Sequence, residues 1–241
     1  MKKVILAFSA VGLIAFTACE KRETVVASDA QTVATTEGAE SYTVDSDVST
    51  INWRGYKINE NQNEEGGHNG FVKLQSGTAQ VSNGVLVGGT FTTDNTTIES
   101  VDLNDAPDKK AKLDGHLHSD DFFAVEQFPT STFTITNVEA TDGDYNSNIT
   151  GNLKMREAEK SISFRANVNV TGDQLTIKSE EFAINRKDFG VDFQVAQGAL
   201  IADQMPIKLD VVANRGAVAT HDHGVHTTEE VPAETADVIV D

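Results

Sequence analysis

The chain has a single cysteine, Cys19, in 241 residues, so no internal disulfide can form and a packed core must hold the fold. Basic charge is scarce: 19 Lys and Arg stand against 37 Asp and Glu, for a formal net charge of −18. Such a surface repels nucleic acid and anionic headgroups, which excludes phosphate-backbone binding. Only one long apolar run exists, the 15 residues from Val4 to Ala18. It falls short of the ~20 residues that cross a bilayer as a helix. Motifs of nucleotide and hydrolase chemistry are missing as well: there is no P-loop, no G-x-G-x-x-G and no G-x-S-x-G elbow. Each of those reactions needs its glycines at fixed spacing to let backbone or nucleophile approach the substrate.

What is present begins at the N-terminus. Lys2 and Lys3 precede the apolar run, which ends in Phe16-Thr17-Ala18-Cys19, the arrangement of a lipoprotein leader with small residues before the acceptor cysteine. Residues 1–18 are read as a signal peptide and Cys19 as the lipid attachment site, acylated with chains such as palmitate. That places the protein in the cell envelope, facing the periplasm from the outer or the inner membrane. An ordinary secretory leader or an anchor helix is the competing reading. Residues 19–40 lack strand or helix periodicity and read as a flexible tether. Residues 214–241 are acidic, rich in Ala and Thr and broken by Pro232, a disordered tail in which His221, His223 and His226 are solvated. Between them, 41–213 forms one domain with no Pro/Gly-rich break.

Within that domain apolar residues recur at every second position. Ile162, Phe164, Ala166, Val168 and Val170 alternate with Ser161, Ser163, Arg165, Asn167 and Asn169, the pattern of a strand with one face buried. Similar stretches occur at 132–137 and 148–155, and strands are further expected at 48–57, 68–75, 85–94, 174–184 and 200–213. Ser82-Asn83-Gly84, Asp142-Gly143-Asp144 and Thr171-Gly172-Asp173 mark turns between them. About eight antiparallel strands need a sandwich or a closed barrel to remove their edges. Ser119 could N-cap a short helix, with Asp120 and Asp121 in its first turn and Pro129 beyond its end.

Four runs carry a family resemblance: Val48-Ser49-Thr50-Ile51-Asn52-Trp53, Leu113 to Phe123 (LDGHLHSDDFF), Phe128-Pro129-Thr130-Ser131-Thr132-Phe133, and Phe182 to Gly190 (FAINRKDFG). Over about 41–213 the chain resembles the YceI-like family. The resemblance implies an all-β fold, an eight-stranded antiparallel lipocalin-like β-barrel with a short helical segment, holding a polyisoprenoid or other long-chain lipid in its lumen without enzymatic activity. His118 stands where family members often carry lysine or arginine.

The residues themselves agree with this expectation. Ten of the twelve phenylalanines lie between Phe71 and Phe193, and the one tryptophan is Trp53. A hydrocarbon ligand needs smooth apolar walls, which aromatic and β-branched side chains provide. Ile51, Trp53, Phe91, Phe133, Ile135, Phe164 and Phe182 are expected to face inward, with Phe122 and Phe123 touching the bound chain at the entrance. The same phenylalanines could instead fill a solid core, which would suit an envelope stress or interaction protein. His116 and His118, two apart, could face one side with His68 nearby, but no cysteine or carboxylate pattern completes a metal set. No metal or cofactor is therefore expected, Arg186 could pair with a polar lipid head or with Asp192 and is read as a structural ion-pair partner, and a homodimer is compatible with the sequence.

Overall fold

The computed structural model describes residues 23–33, 37–194 and 200–216. The leader, Cys19 and the tail from 217 onward lie outside the described residues. In chain order the elements are β1 (Glu23–Thr24), β2 (Ser28–Asp29), β3 (Glu40–Val44), β4 (Thr50–Ile58), β5 (Glu64–Ser82), β6 (Val85–Ser100), α1 (Pro107–His118), β7 (Thr132–Ala140), β8 (Ser147–Met155) and β9 (Ala158–Thr171). They continue with β10 (Gln174–Ser179), β11 (Phe182–Asn185), a 3-10 turn (Arg186–Phe189), β12 (Leu200–Ile201) and β13 (Gln204–Arg215).

These strands close an antiparallel barrel. β3 and β4 both pair with β5 on one side and β13 on the other, so together they make one stave of the wall, interrupted at 45–49. Ser49 bridges the interruption: its hydroxyl donates to the Val212 carbonyl at 3.2 Å and accepts from the Val212 N–H at 3.0 Å. β10 and β11 likewise share β13. Counting each of these pairs once gives eight staves, a number whose interior side chains can fill or that can hold one small ligand. The Asn83-Gly84 turn between β5 and β6 has φ of 52° and 77°, the doubly left-handed geometry that a two-residue hairpin requires. The main core lies inside the barrel, where Tyr42, Ala79, Val81, Leu175 and Ala213 are fully buried.

Three features depart from the expectations. β3 had no counterpart among the expected strands, because Tyr42 and Val44 alone are too short a run to establish a period. The helix precedes Ser119 and does not start there: Ser119 is its C-cap, with its N–H and hydroxyl both donating to the His116 carbonyl at 3.1 and 2.7 Å. Pro107 in the first turn opens this helix, where a missing N–H costs nothing.

The third departure concerns the segment read as a free tether. Over residues 23–33 it is a strap completing the barrel wall. The β9–β10 ladder ends at Ala166; there the buried Glu180 carboxylate accepts from the Arg165 N–H (2.9 Å) and guanidinium while the Glu180 N–H donates to the Arg165 carbonyl at 3.0 Å, and beyond this point the two strands diverge. The strap enters this slot. Glu23 and Thr24 pair in parallel with Phe182 and Ala183 of β11, and Ser28 and Asp29 pair with Ser161 and Lys160 of β9. Val25 and Ala27 pack inward against the core while Val26 points out. Farther along, Asn152 clips the strap by accepting from the Gln31 N–H at 2.8 Å and donating to the Gln31 carbonyl at 2.7 Å.

Candidate functional site

Period-two alternation turns one side chain in two from every stave into the barrel, and there they line an apolar cavity of about 130 Å³. Eight of the expected positions line it: Ile51 and Trp53 from β4, Phe91 from β6, Phe133 and Ile135 from β7, Phe164 from β9, Phe182 from β11, and Phe123 from the segment after α1. Phe164 stacks on Phe182 with ring centroids 4.6 Å apart and planes at 3°, and it tilts against Phe133 at 5.5 Å. The phenylalanines therefore fill part of the interior and leave part of it open. Aliphatic residues complete the wall, notably Val72, Leu74, Ile149, Ile162, Ile177, Ile207 and Val211.

Phe122 is the exception. Its ring packs outside the lumen against His116 at 4.9 Å and Phe193 at 5.4 Å. Of the two neighbours on this turn, Phe123 lines the cavity and Phe122 does not. Expected to touch a bound chain at the entrance, Phe122 does not line the cavity itself, and its carbonyl accepts from Arg156 at 2.8 Å.

The lining has four polar members, Thr93, Asn95, Ser131 and Thr132, and the first three are engaged with one another. Thr93 donates its hydroxyl to Asn95 Oδ1 at 2.7 Å, while Asn95 Nδ2 donates to the Phe128 carbonyl at 2.9 Å and to Ser131 Oγ at 3.1 Å. The Ser131 N–H in turn donates to Thr93 Oγ1 at 3.0 Å. This network holds 128–131 against β6, so it presents the lumen with little free hydrogen-bonding capacity. Its signal in the sequence was the pair Thr93 and Asn95, polar at positions where the alternation of β6 calls for apolar side chains.

One end of the lumen is covered by α1. Leu117 is buried with Val72 and Ile98 in a second apolar cluster that Trp53, Leu113 and Phe122 join, and Ile51 and Phe123 belong to both clusters. Trp53 Nε1 donates to the Phe71 carbonyl at 3.2 Å. The helix is pinned by Asp114, which accepts from the Ser100 N–H and hydroxyl and from Lys110 Nζ, each at 2.8 Å. Burial opposes ionisation of Asp114, but these donors outweigh it and hold the carboxyl below its usual range. Burial likewise opposes the charge on Lys110, and Asp114 and Glu99 outweigh it to raise the ammonium.

A depressed carboxylate contributes stability that is present above its unfolded value, about 3.9, and is lost as pH falls through the folded value. Asp114→Asn is therefore expected to flatten the acid limb of stability against pH. Urea midpoints measured between about pH 2 and 5 check this.

The histidines do not converge. His68 Nδ1 lies 2.8 Å from an Asp102 carboxylate oxygen, His116 Nε2 lies 3.0 Å from Asp121, and His118 Nε2 lies 2.9 Å from the Ile98 carbonyl. No group of three or more potential metal ligands occurs among the described residues. Burial opposes ionisation of Asp102, but hydrogen bonds from His68 and the Asn69 N–H outweigh it and hold the carboxyl low. Arg186 is structural, as expected, although its partners differ. Its guanidinium donates to the carbonyls of Ala202 at 3.0 Å, Val191 and Ile201, and its carboxylate contact is Asp203 at 3.5 Å in place of Asp192.

A closed antiparallel barrel with an apolar interior belongs to the class of small β-barrels consistent with a binding protein. The chain belongs to the YceI-like family, whose YceI-like domain matches residues 42–213. It is similar to a UPF0312 protein of Pseudomonas putida, 37% identical over 75 residues, or 30% of this chain and 38% of that protein. It is also similar to protein YceI of Salmonella paratyphi B, 36% identical over 91 residues, 35% of this chain and 47% of the relative. The chain thus spans less than half the length of these curated relatives. Among solved structures, BcnA of Burkholderia cenocepacia shares the fold with a TM-score of 0.51 and 19% identity, over 71% of this chain and 99% of that one.

Proposed function

We propose that the protein is a lipid-anchored binding protein that faces the periplasm, takes the hydrocarbon of a polyisoprenoid or similar long-chain lipid into its lumen, and serves as carrier or buffer without catalysing a reaction. The observation that carries this reading is the apolar lining, in which the polar side chains of Thr93, Asn95 and Ser131 hydrogen-bond one another. Such a wall selects for hydrocarbon: each buried methylene gains about 0.8 kcal/mol, and no fixed polar group demands a matching one. The leader sequence ending at Cys19 supports the anchor.

Trp53 is the only tryptophan and lines the cavity, so titration with a polyprenol is expected to change its fluorescence saturably. A flat titration, with no lipid seen by native mass spectrometry of protein from its own membrane, leaves the solid-barrel interaction protein as the better reading. For the anchor, metabolic labelling with palmitate is expected to mark the wild type and to be lost in Cys19→Ala.

A further inference from the structure

The cavity sets the problem. At about 130 Å³ it is comparable to the engineered apolar cavity of ~150 Å³ that takes up a single benzene. A space of that size holds a long chain only if the wall moves. Around most of the barrel that means breaking a long ladder, as between β8 and β9 from Ser147↔Ala166 to Met155↔Ala158; β6 and β7 share only three paired positions, but the Thr93, Asn95 and Ser131 bonds extend that seam.

The slot between β9 and β11 is different. Only two paired positions join the strap to each flanking strand, and the space between is stopped by Val25 and Ala27. Phe164 on β9 and Phe182 on β11 both line the lumen, so withdrawal of the strap exposes the cavity sideways. We propose that this slot is the port through which the lipid chain enters, and that residues 23–29 are its displaceable wall. The port rests on the lipid-binding reading above.

Two further observations fit. The Asn152 clip on Gln31 holds the downstream end, so the strap hinges there and its upstream end swings free. That upstream end lies toward the membrane: Cys19 is four residues before Glu23, a reach of at most ~14 Å. Acylation at Cys19 therefore sets the slot beside the bilayer that supplies the chain, with Val26 facing outward at 86% exposure. The strap lies before the family-matched residues 42–213.

The test locks the strap. In a Cys19→Ser background, Thr24→Cys with Ala183→Cys places two thiols at paired positions on the swinging end of the strap, where the ~4.8 Å between neighbouring strands is within disulfide reach. A control, Thr90→Cys with Thr134→Cys, staples β6 to β7 away from the slot. Farnesol, a short isoprenoid alcohol, is mixed with each protein and uptake is followed by stopped-flow fluorescence of Trp53. The oxidised strap-locked protein is expected to take up farnesol at least tenfold more slowly, with the rate restored by dithiothreitol, while the control keeps the wild-type rate in both states. An unchanged rate in the locked protein, or equal slowing in the control, overturns the port and leaves the binding reading intact. Absence of any saturable change in the wild type overturns the binding reading and the port with it.

Discussion

Phe164→Ala is expected to lower stability by about 3–5 kcal/mol and at the same time to increase the stabilisation that a lumen ligand confers. Phe164 is 4% exposed and sits between Phe133 and Phe182, so its truncation loses both ring contacts and leaves a void that the rigid staves cannot collapse onto. For a domain of this size the loss corresponds to a fall in Tm of roughly 6–20 °C. The void is continuous with the existing cavity, however, and a ligand that binds the native state raises Tm by mass action. Saturating farnesol is therefore expected to raise Tm more in Phe164→Ala than in the wild type. Phe122→Ala, whose ring lies outside the lumen, is expected to melt lower and keep the wild-type increment. Calorimetric scans with and without farnesol check both; a smaller increment in Phe164→Ala means the ring supports the wall and does not limit the space.

The second large effect is expected at Arg186. Its side chain is 4% exposed, and its donors join the carbonyls of Val191, Ile201 and Ala202. Burial pulls the guanidinium below its ordinary pKa, opposed by Asp203 and Asp192. Arg186→Met removes the charge and leaves these acceptors without their donor, at a cost of about 3–5 kcal/mol, as for other broken buried ionic sites. Arg186→Lys is expected to recover little of it, because an ammonium is a point charge and cannot span acceptors that a planar fork reaches together. Urea midpoints of the two variants check this; near-wild-type stability of Arg186→Lys would show that charge alone suffices.

Much of the barrel was legible because strand burial writes itself into adjacent residues. The alternation from Ser161 to Val170 falls within β9, and Asn83-Gly84 lies at the β5–β6 turn. The same alternation named the lumen: once a strand is placed, every second residue faces inward, so Ile51, Trp53, Phe91, Phe133, Ile135, Phe164 and Phe182 could be picked out by parity. Phe122 and Phe123 lie on a turn, where parity carries no such information. α1 was missed for a related reason. Among its residues only Leu117 is fully buried and Gly115 lies in its last turn, so it shows no apolar stripe; Pro107 followed by Asp108 was the one local sign of its start.

The sequence by itself determined most of the strands from residue 48 onward, their inward faces and the apolar character of what they surround, because these depend on period-two patterning between near neighbours. It also determined that the fold stands without a disulfide, since there is one cysteine. Only the tertiary structure decided how much of the lumen the phenylalanines fill, because the stacking of Phe164 on Phe182 brings together side chains from separate strands. It alone decided that the Thr93, Asn95 and Ser131 groups bond one another, and that Glu23 to Asp29 wall a slot between strands more than 130 positions away. Val25 and Ala27 are two apolar residues in a polar stretch, too few to reveal a period; their burial follows from the divergence of β9 and β11 at Glu180, which no local pattern encodes.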